Sequence, residues 1–358
     1  MNYKKIINDD GTYSIIINDG VTEIKDYAFA QNEKLVFIMI PDSVTIIGDG
    51  AFSWCVNLKT ISMSNNVTSI GKNAFEYCYS LESIELPNAI VDIKYNTFYG
   101  CYNLESINIP NSVTTIGDWA FSGCAALTTI NIPDSVTSIN DNAFYYCNNL
   151  ECINIGKNVT NIGKYVFKGC NNLKCINVDD DNLNYTSTNE ALYNKNYTEL
   201  IKYINSKDDT SFSIPSTVTS IDEYAFENSK NLIFLDLPSS INTIRNGAFS
   251  RCTSLVTINI PNGVNTISDY LFSECSNLES ITIPNTVNTI GNAAFYRCSN
   301  LISVNMPNSI STIKDNAFKN CINLKHINIP SNANIRNNAF SGCSKLVNIN
   351  IPKTVSII

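Results

Sequence analysis

The sequence predicts a β-rich α/β repeat solenoid, and three regularities carry that prediction. Phenylalanine recurs every 23 residues from Phe29 to Phe167 and again from Phe226 to Phe318, with a last one at Phe340, one residue early. Eleven of the thirteen cysteines lie three residues after one of these phenylalanines, and all eleven prolines follow the same short apolar stretch. A period of this length is typical of solenoids, whose coils are each too small to bury an apolar face alone. We therefore expect thirteen stacked coils.

The apolar stretch of each coil reads as a short β-strand. In the coil at 127–147, Ile130 and Ile132 alternate with polar Thr129 and Asn131, which is the period-2 pattern of a half-buried strand. A proline follows at once and ends the pairing, because it has no N–H to donate. Neighbouring copies of this strand are expected to form one parallel sheet with a spacing of about 4.8 Å.

The second half of each coil predicts a short helical turn on the face opposite the sheet. In the same coil, Asp141 stands where a helix cap is favoured, and Ala143, Phe144 and Cys147 follow at spacings that make one apolar face. We expect Asp or Asn to cap this turn in most coils. The phenylalanine is expected to be buried in every coil.

The repeated cysteines predict a column of buried, unpaired thiols, since a free cysteine behaves as a small hydrophobe. Disulfides are the alternative. The sequence has no C-x-x-C and no Cys/His cluster, so we expect no metal site and no cofactor. Cys152 and Cys175 fall outside the repeated position, on the outward face of neighbouring strands. For this pair we favour free thiols over a disulfide.

Charge and hydropathy exclude two classes of partner. The chain carries 24 basic and 32 acidic residues, a net charge of −8, so it offers little attraction to a phosphate backbone. No stretch approaches the ~20 apolar residues of a membrane span, and we identify neither an export signal nor an anchor in the chain as given. We expect no nucleic acid partner and no membrane insertion.

The repeats predict one continuous solenoid domain with a single irregular coil. The long coil contains residues 190–204, which read as two short strands around an Asn-Lys-Asn turn, and we expect this hairpin to protrude. The predicted parts are an N-terminal capping hairpin (1–20), repeats 1–7 (21–178), the long coil with its hairpin (179–215), repeats 8–13 (216–352) and a truncated coil (353–358).

The coil pattern resembles a known family. LESINIPNSVTTIGDWAFSGC, at 104–124, is similar to the BspA-like, or Treponema pallidum-type, leucine-rich repeat, and nearly the whole chain shares the pattern. The hairpin coil also resembles an insertion common in that family. The resemblance implies a right-handed, curved leucine-rich-repeat superhelix. For many members it further implies a bacterial or protist surface protein used in adhesion or protein binding, which is at odds with the missing export signal.

The outward strand position is the first candidate binding surface. Its side chains are mostly amides, which suit hydrogen bonding to an extended protein or a glycan, while stacked amides can equally bond to one another, the reading that we favour. The candidate residues of this lane are Asn108, Asn131, Asn154, Asn177, Asp236, Asn259, Asn305 and Asn328.

An aromatic patch is the second candidate. Tyr and Trp are enriched at binding hot spots, although they also serve to cover gaps between turns, and we favour that structural reading here. The residues are Trp54, Tyr77, Tyr79, Tyr99 and Tyr102, from three adjacent coils.

The sequence offers no catalytic constellation. His326 is the only histidine, it sits on the outward strand face near Ser303, and no nucleophile motif accompanies it. We therefore predict no catalytic residues and a non-enzymatic protein. The leading hypothesis is a cell-surface or secreted adhesin that binds a host or self surface protein, with a glycan as the other candidate ligand. The alternatives are an intracellular interaction scaffold or effector, and an element that associates end to end.

Overall fold

The computed structural model describes residues 2–204 and 209–349. The fold is a parallel β-solenoid of about 14 turns with a repeat of about 23 residues. The chain divides into two compact units, Met1–Asn189 (unit 1) and Glu190–Ile358 (unit 2). The truncated coil predicted at 353–358, and the end-to-end association inferred from it, lie outside the described residues.

Unit 1 carries a main strand and a shorter second strand in nearly every coil. The main strands are Tyr3–Ile7, Tyr13–Ile17, Leu35–Met39, Thr60–Ser62, Ser83–Glu85, Ser106–Asn108, Thr129–Ile132, Cys152–Ile155 and Cys175–Val178. The second strands are Glu23–Ile24, Ile46–Ile47, Ser69–Ile70, Asp92–Ile93, Thr115–Ile116, Ser138–Ile139 and Asn161–Ile162, and Tyr185–Ser187 follows them. The first two strands pair antiparallel, while the paired coil strands after them are parallel.

Unit 2 repeats this arrangement after a hairpin. The hairpin strands are Ala191–Asn194 and Glu199–Tyr203. Seven main strands form one sheet: Ser211–Ser213, Phe234–Asp236, Thr257–Asn259, Ser280–Thr282, Ser303–Asn305, His326–Ile327 and Asn348–Ile349. The second strands are Ser220–Ile221, Thr243–Ile244, Thr266–Ile267, Thr289–Ile290, Thr312–Ile313 and Asn334–Ile335.

The main strands follow the predicted alternation. In the strand Thr129–Ile132 the two isoleucines are buried, and Thr129 and Asn131 are exposed. Ile130 lies in register with Ile153 of the next coil, so like residues stack on like along the sheet. This register places the exposed side chains at equivalent positions of successive main strands in a straight line across the coils.

The phenylalanines form the predicted buried column, except that Phe340 in the last coil is only half-buried. In unit 1 the rings of Phe98, Phe121 and Phe144 lie 5.4 and 5.5 Å apart, nearly parallel. In unit 2 the rings of Phe249 and Phe272 lie 5.5 Å apart. All five side chains are inaccessible to solvent, so each ring contributes apolar burial to two neighbouring coils.

The predicted helical turns are wrong, because the described residues form no helix. Two left-handed residues flank the phenylalanine in each coil: Trp119 (φ 58°) and Gly123 (φ 75°) stand on either side of Phe121. An α-helix requires negative φ at every position, so the chain forms successive tight turns instead. The N–H groups of these three residues donate to carbonyl oxygens of the next coil, at 3.0, 2.7 and 2.9 Å respectively.

The aspartates predicted to cap these turns bond between coils instead. Asp118 Oδ1 accepts the N–H of Asp141 at 3.0 Å, and Asp141 Oδ1 accepts the N–H of Lys164 at 2.8 Å. In unit 2, Asp269 Oδ1 accepts the N–H of Asn292 at 2.8 Å. Because each bond joins equivalent positions of successive coils, this column stabilises the stack and not a helix end.

The hairpin of unit 2 is part of the core. Its strands pair antiparallel, and Glu199–Tyr203 also pairs in parallel with the second strand Ser220–Ile221. The side chains of Tyr193 and Tyr203 are buried. The prediction that this hairpin protrudes is therefore wrong, since its inner face packs like that of any other coil.

Tyr203 occupies the place of the missing phenylalanine. It precedes Phe226 by 23 residues, its ring stacks on that of Phe226 at 5.0 Å, and its N–H donates to the carbonyl of Ala225 at 2.9 Å. Phe226 makes the same kind of bond to the carbonyl of Ala248. The spacing alone could have identified Tyr203, had other aromatic residues been counted with phenylalanine.

Candidate binding surfaces

The predicted lane lies on the outward face of the main strands, and its side chains are exposed. Each strand buries its central residue and exposes the residue on either side, as in Ser106–Asn108. The exposed lane residues are Asn108, Asn131, Asn154 and Asn177 in unit 1, and Asp236, Asn259, Asn305 and Asn328 in unit 2.

Three lane amides in unit 1 bond to one another. Asn177 Nδ2 donates to Asn154 Oδ1 at 2.8 Å, and Asn154 Nδ2 donates to Asn131 Oδ1 at 2.7 Å. This run bears out the structural interpretation of the lane at these positions. The ladder has a direction: its donor end is Asn131 Nδ2, on the side of Asn108, where both N–H groups are available to a ligand.

A groove lies along this face of unit 1, next to the donor end of the ladder. It has a volume of about 760 Å³, and Glu85, Asn108, Asn131 and Thr129 are among its lining residues. A second groove of about 440 Å³ shares Asn108 and Asn131 and extends toward Asp179. Amide side chains line both grooves, joined by hydroxyls and Glu85 in the first and by Asp134 and Asp179 in the second. Such a surface can donate to and accept from the backbone of an extended polypeptide.

Cys152 and Cys175 form a disulfide on the same face, so the prediction of free thiols is wrong for this pair. The two residues are register partners on adjacent parallel strands, with Cα atoms 4.7 Å apart. That separation lies within the range that a disulfide spans. The disulfide stands beside the amide ladder, since Asn177 Nδ2 also lies 3.4 Å from Cys152 Sγ.

The five aromatic residues predicted as a patch do cluster, on the turns of unit 1. The ring of Trp54 lies 4.3 Å from that of Tyr77 and 6.1 Å from that of Tyr79. Tyr77 contacts Tyr99 at 5.1 Å, and Tyr79 stacks on Tyr102 at 5.0 Å. Trp54 is 42 % and Tyr102 47 % exposed, so the outer rings of this aromatic patch face solvent.

Sequence reasoning missed the carboxylate of Glu76, which lies close enough to Tyr77 of the aromatic patch for its charge to act on that side chain. Glu76 precedes Tyr77 in the chain, and its oxygens accept from Ser53 Oγ at 3.2 Å and Asn96 Nδ2 at 3.4 Å. Partial burial raises the pKa of Glu76 above its ordinary value, and the two hydrogen bonds oppose that rise. Burial also raises the pKa of Tyr77, and the adjacent Tyr99 hydroxyl and the charge of Glu76 act in the same direction.

The repeated cysteines form the predicted column of free thiols. All eleven are unpaired, and only Cys343 is not fully buried. Each thiol donates to the phenylalanine carbonyl of the coil before it, as Cys147 does to Phe121 at 3.1 Å and Cys275 to Phe249 at 3.0 Å. The column therefore joins the coils as well as filling the core.

Burial also makes these thiols unreactive. Desolvation raises the pKa of Cys55 and of Cys252 to about 12, and that of the less buried Cys343 to about 11. The thiolate is the species that reacts with oxidants and metals, so a thiol with such a pKa is inert at neutral pH.

His326 lies exposed on the outward face of unit 2, in register with Ser303 of the preceding strand. Within residues 2–204 and 209–349, no group of three or more His, Cys, Asp or Glu side chains could hold a metal ion. Nor does the described part of the chain contain a helix long and apolar enough to cross a bilayer.

Coils of this length, with stacked parallel strands and an exposed polar strand face, define a leucine-rich-repeat solenoid, a fold that generally mediates protein–protein interactions. The chain belongs to the BspA-type leucine-rich repeat family, whose sequence profile matches residues 7–98, 91–209, 202–325 and 265–358. The family is typically a non-enzymatic repeat fold. A search of curated proteins gives no sequence match.

Solved structures with the same fold come from several bacteria. A leucine-rich cell surface protein from Faecalibacterium prausnitzii is 30% identical, with a TM-score of 0.77, covering 98% of this chain and 93% of that one. A leucine-rich repeat protein from Eubacterium ventriosum is 26% identical, with a TM-score of 0.59 and coverages of 99% and 95%. One from Bacteroides ovatus is 25% identical, with a TM-score of 0.53 and coverages of 96% and 91%.

Proposed function

We propose that this protein is a non-enzymatic adhesion module of the cell surface, and that the strand face of unit 1 binds an extended segment of a partner protein. The single observation that carries the proposal is the groove of about 760 Å³ on that face. Asn108, Ser106 and Thr129 line it, and the donor end of the amide ladder at Asn131 opens into it.

The chemistry of the groove suits a polypeptide backbone. An extended chain presents alternating N–H and C=O groups, and an amide side chain can satisfy either kind. The exposed rows are spaced by one strand, about 4.8 Å, so a segment lying across the coils meets a hydrogen-bonding side chain in each one. A glycan is the competing ligand, because sugar hydroxyls also match amides.

Two observations support a location outside the cell. The Faecalibacterium prausnitzii protein, to which the whole chain is similar, is described as a cell surface protein. The disulfide between Cys152 and Cys175 also favours an oxidising compartment, since disulfides are rare in reducing cytosol.

The abundant thiols no longer favour the intracellular alternative. Ten of the eleven free cysteines are buried, and burial raises the pKa of their thiols, as at Cys55 and Cys252, so such thiols resist oxidation in either compartment. The intracellular scaffold is therefore the weaker candidate. One continuous domain remains our proposal for the organisation of the whole chain.

Selection of displayed peptides tests binding at the groove. Random 12-residue peptides would be selected on the intact protein, with a panel of immobilised glycans probed in parallel. Peptides that bind through the groove should lose at least tenfold in affinity with the double variant Asn108→Ala/Asn131→Ala. Asn259→Ala, the matched change on the strand face of unit 2, should leave binding unaltered. Enrichment of glycans alone, or peptides indifferent to the double variant, would refute the proposal.

Access on intact cells tests the location. A membrane-impermeant biotinylation reagent should label the protein on intact cells of its source, while a cytosolic control protein stays unlabelled. Protection of both proteins would exclude the adhesin and favour the scaffold.

A further inference from the structure

The aromatic patch of unit 1 combines exposed rings with a partly buried carboxylate. Trp54 and Tyr102 present large exposed areas, and Tyr79 lies between them, in contact with both rings. Glu76, whose charge acts on Tyr77 of the patch, accepts hydrogen bonds from Ser53 and Asn96. Ring faces are electron-rich and attract cations, and a carboxylate beside them adds charge of the same sign.

The chain itself shows that rings on this face accept a cation. Further rings lie beyond the aromatic patch: Tyr99 contacts Trp119 at 6.2 Å, and Trp119 contacts Tyr145 at 5.2 Å. There Lys168 Nζ lies 5.5 Å from the ring centre of Tyr145 and 5.7 Å from that of Tyr165. No described lysine or arginine lies over the rings of the aromatic patch itself.

We infer that the aromatic patch of unit 1 binds an arginine or lysine side chain of a partner protein, stacked on its rings and paired with Glu76. Charge complementarity supports this occupant, because the chain has a net charge of −8 and the patch contains a carboxylate and no described cation of its own. Arginine fits best, since its planar guanidinium can stack on a ring and hydrogen-bond to a carboxylate at the same time.

The hydrogen bonds around Glu76 prepare it for this role. Ser53 and Asn96 fix the carboxylate in place, so a cation need not order it on binding. Partial burial raises the pKa of Glu76, which means that the charged form lacks part of its hydration. An approaching guanidinium would compensate that loss and strengthen the ion pair.

This surface is separate from the groove on the strands. It lies on the turns and is built on aromatic rings, whereas the groove is lined mainly by amides and hydroxyls of the strands. The inference therefore adds a second contact to the proposed adhesion function, and either of the two can fail alone.

Fluorescence makes the site measurable. The chain has two tryptophans, so Trp119→Phe leaves Trp54 as the single reporter. The probe is the peptide Gly-Arg-Gly-Arg-Gly, compared with its citrulline counterpart, which keeps the shape and removes the charge. At 0.15 M salt we expect saturable quenching of Trp54 by the arginine peptide, and at least tenfold weaker binding of the citrulline peptide.

Variants then test the residues. Glu76→Gln keeps the side chain's shape: its amide oxygen can still accept from Asn96 Nδ2, and its Nε2 can donate to Ser53 Oγ. It should weaken arginine-peptide binding about tenfold. The matched control is Glu279→Gln, at an exposed glutamate of unit 2, which should leave the affinity for the arginine peptide unchanged. Calorimetry on Tyr102→Ala provides a second test should Glu76→Gln lower the melting temperature. The groove variant Asn108→Ala/Asn131→Ala should bind the arginine peptide normally.

Three results would overturn the inference. Equal binding of the citrulline peptide would show that charge is not recognised. Unchanged binding by both Glu76→Gln and Tyr102→Ala would place the peptide elsewhere. Tighter binding of free ethylguanidinium, or of maltohexaose as a neutral oligosaccharide, would assign the patch to a small cation or a glycan.

Discussion

The ring of Tyr77 lies directly over the Cα of Gly100, one coil further along, so closely that a Cβ at Gly100 would come within 2.6 Å of Tyr77 Cδ1. Gly100 also has a φ of 69°. The same arrangement joins Tyr146 to Gly169 and, in unit 2, Tyr224 to Gly247. In each of these three pairs a tyrosine at a left-handed turn position is followed by a glycine at the equivalent position of the next coil, whereas Tyr270 is followed by Ala293.

This relationship predicts that Gly100→Ala destabilises more than Gly123→Ala. Both glycines have positive φ, which costs alanine about 1–2 kcal/mol, but the nearest atom to a Cβ at Gly123 is 3.5 Å away. Gly100→Ala must in addition displace the Tyr77 ring, for a further cost of about 1 kcal/mol or more. Denaturant unfolding of the two variants gives the difference.

The fluorescence spectrum of Gly100→Ala should change along with its stability. Trp54 contacts Tyr77 at 4.3 Å, so moving the Tyr77 ring alters the emission of Trp54 in Gly100→Ala and not in Gly123→Ala. Equal stabilities together with identical spectra would show that the ring does not resist the added carbon.

The buried column predicts a large cost for Phe144→Ala. Its side chain is fully buried between neighbouring rings, so truncation leaves a cavity and should lower the free energy of unfolding by about 3–5 kcal/mol. Thr129→Ala, an exposed strand position, should change stability by less than about 0.5 kcal/mol. Similar losses in the two variants, measured by chemical denaturation, would contradict a tightly packed core.

Thiol titration should separate the two kinds of cysteine. In the native protein a thiol reagent such as DTNB should react with almost none, because the free thiols are buried and the reactive thiolate is suppressed. Mild reduction of the folded protein should release two reactive thiols, those of Cys152 and Cys175.

Denaturation provides the reference for that count. Unfolding without a reductant should expose eleven thiols, and full reduction thirteen. Rapid reaction of more than two thiols in the reduced but folded protein would show that the core column is accessible.

Removing the disulfide should lower stability without changing the fold. The disulfide joins residues 23 apart in the sequence. Closing a loop of this length lowers the conformational entropy of the unfolded chain, which stabilises the folded state by about 3 kcal/mol. Cys152→Ser/Cys175→Ser should therefore melt at a lower temperature than the oxidised protein, with an unchanged circular dichroism spectrum. The reductant-treated wild type serves as the comparison. A melting temperature that responds neither to reductant nor to the double substitution would argue against a stabilising bond.

Stability of unit 2 should fall as pH rises from about 4 to 6. Burial raises the pKa of Asp222 from 3.8 to about 6, against the opposing effects of a backbone hydrogen bond from Glu223 and the charge of Arg245. Between these values the folded state holds a proton that the unfolded state has lost, so each rise in pH favours unfolding, by at most about 2 kcal/mol in total.

Substitution isolates this contribution. Asp222→Asn removes the charge while Arg245 keeps its contact with Glu199 at 3.4 Å. The variant should gain about 1–2 kcal/mol at pH 7, gain nothing at pH 4, and show a flatter pH profile by denaturant unfolding. The control substitution Asp236→Asn, at an exposed aspartate of the same unit, should leave the pH dependence of the free energy of unfolding unchanged. An Asp222→Asn profile as steep as that of the wild type would refute the assignment.

The buried columns and the strands follow from apolar periodicity and could be predicted. The turns around the phenylalanine depend on residues with positive φ and could not. Phe121 and Ile130 recur at fixed intervals, and their burial follows directly. Trp119 adopts a positive φ that its residue type disfavours, so nothing in that residue indicated a left-handed turn. The signal was in its neighbours, because Gly50 and Asn96 stand at the same position of other coils.

The candidate surfaces show a similar division. The outward lane followed from strand alternation, and bonding between its stacked amides was the favoured reading. The sequence did not reveal which amides bond, namely Asn131, Asn154 and Asn177, with Asn108 standing beside them. The carboxylate of Glu76 was missed because its repeat position is held by serine in other coils, such as Ser53. The redox state of Cys152 depends on the environment and is not encoded in spacing.

The bond from each thiol to the phenylalanine carbonyl of the coil before it makes eleven junctions between coils chemically alike. A gene segment that encodes one coil can therefore be duplicated or lost by unequal recombination, and the new junction inherits the same donor and the same acceptor. The number of coils is a quantity that evolution can change without redesigning the interior, while the exposed side chains diversify independently.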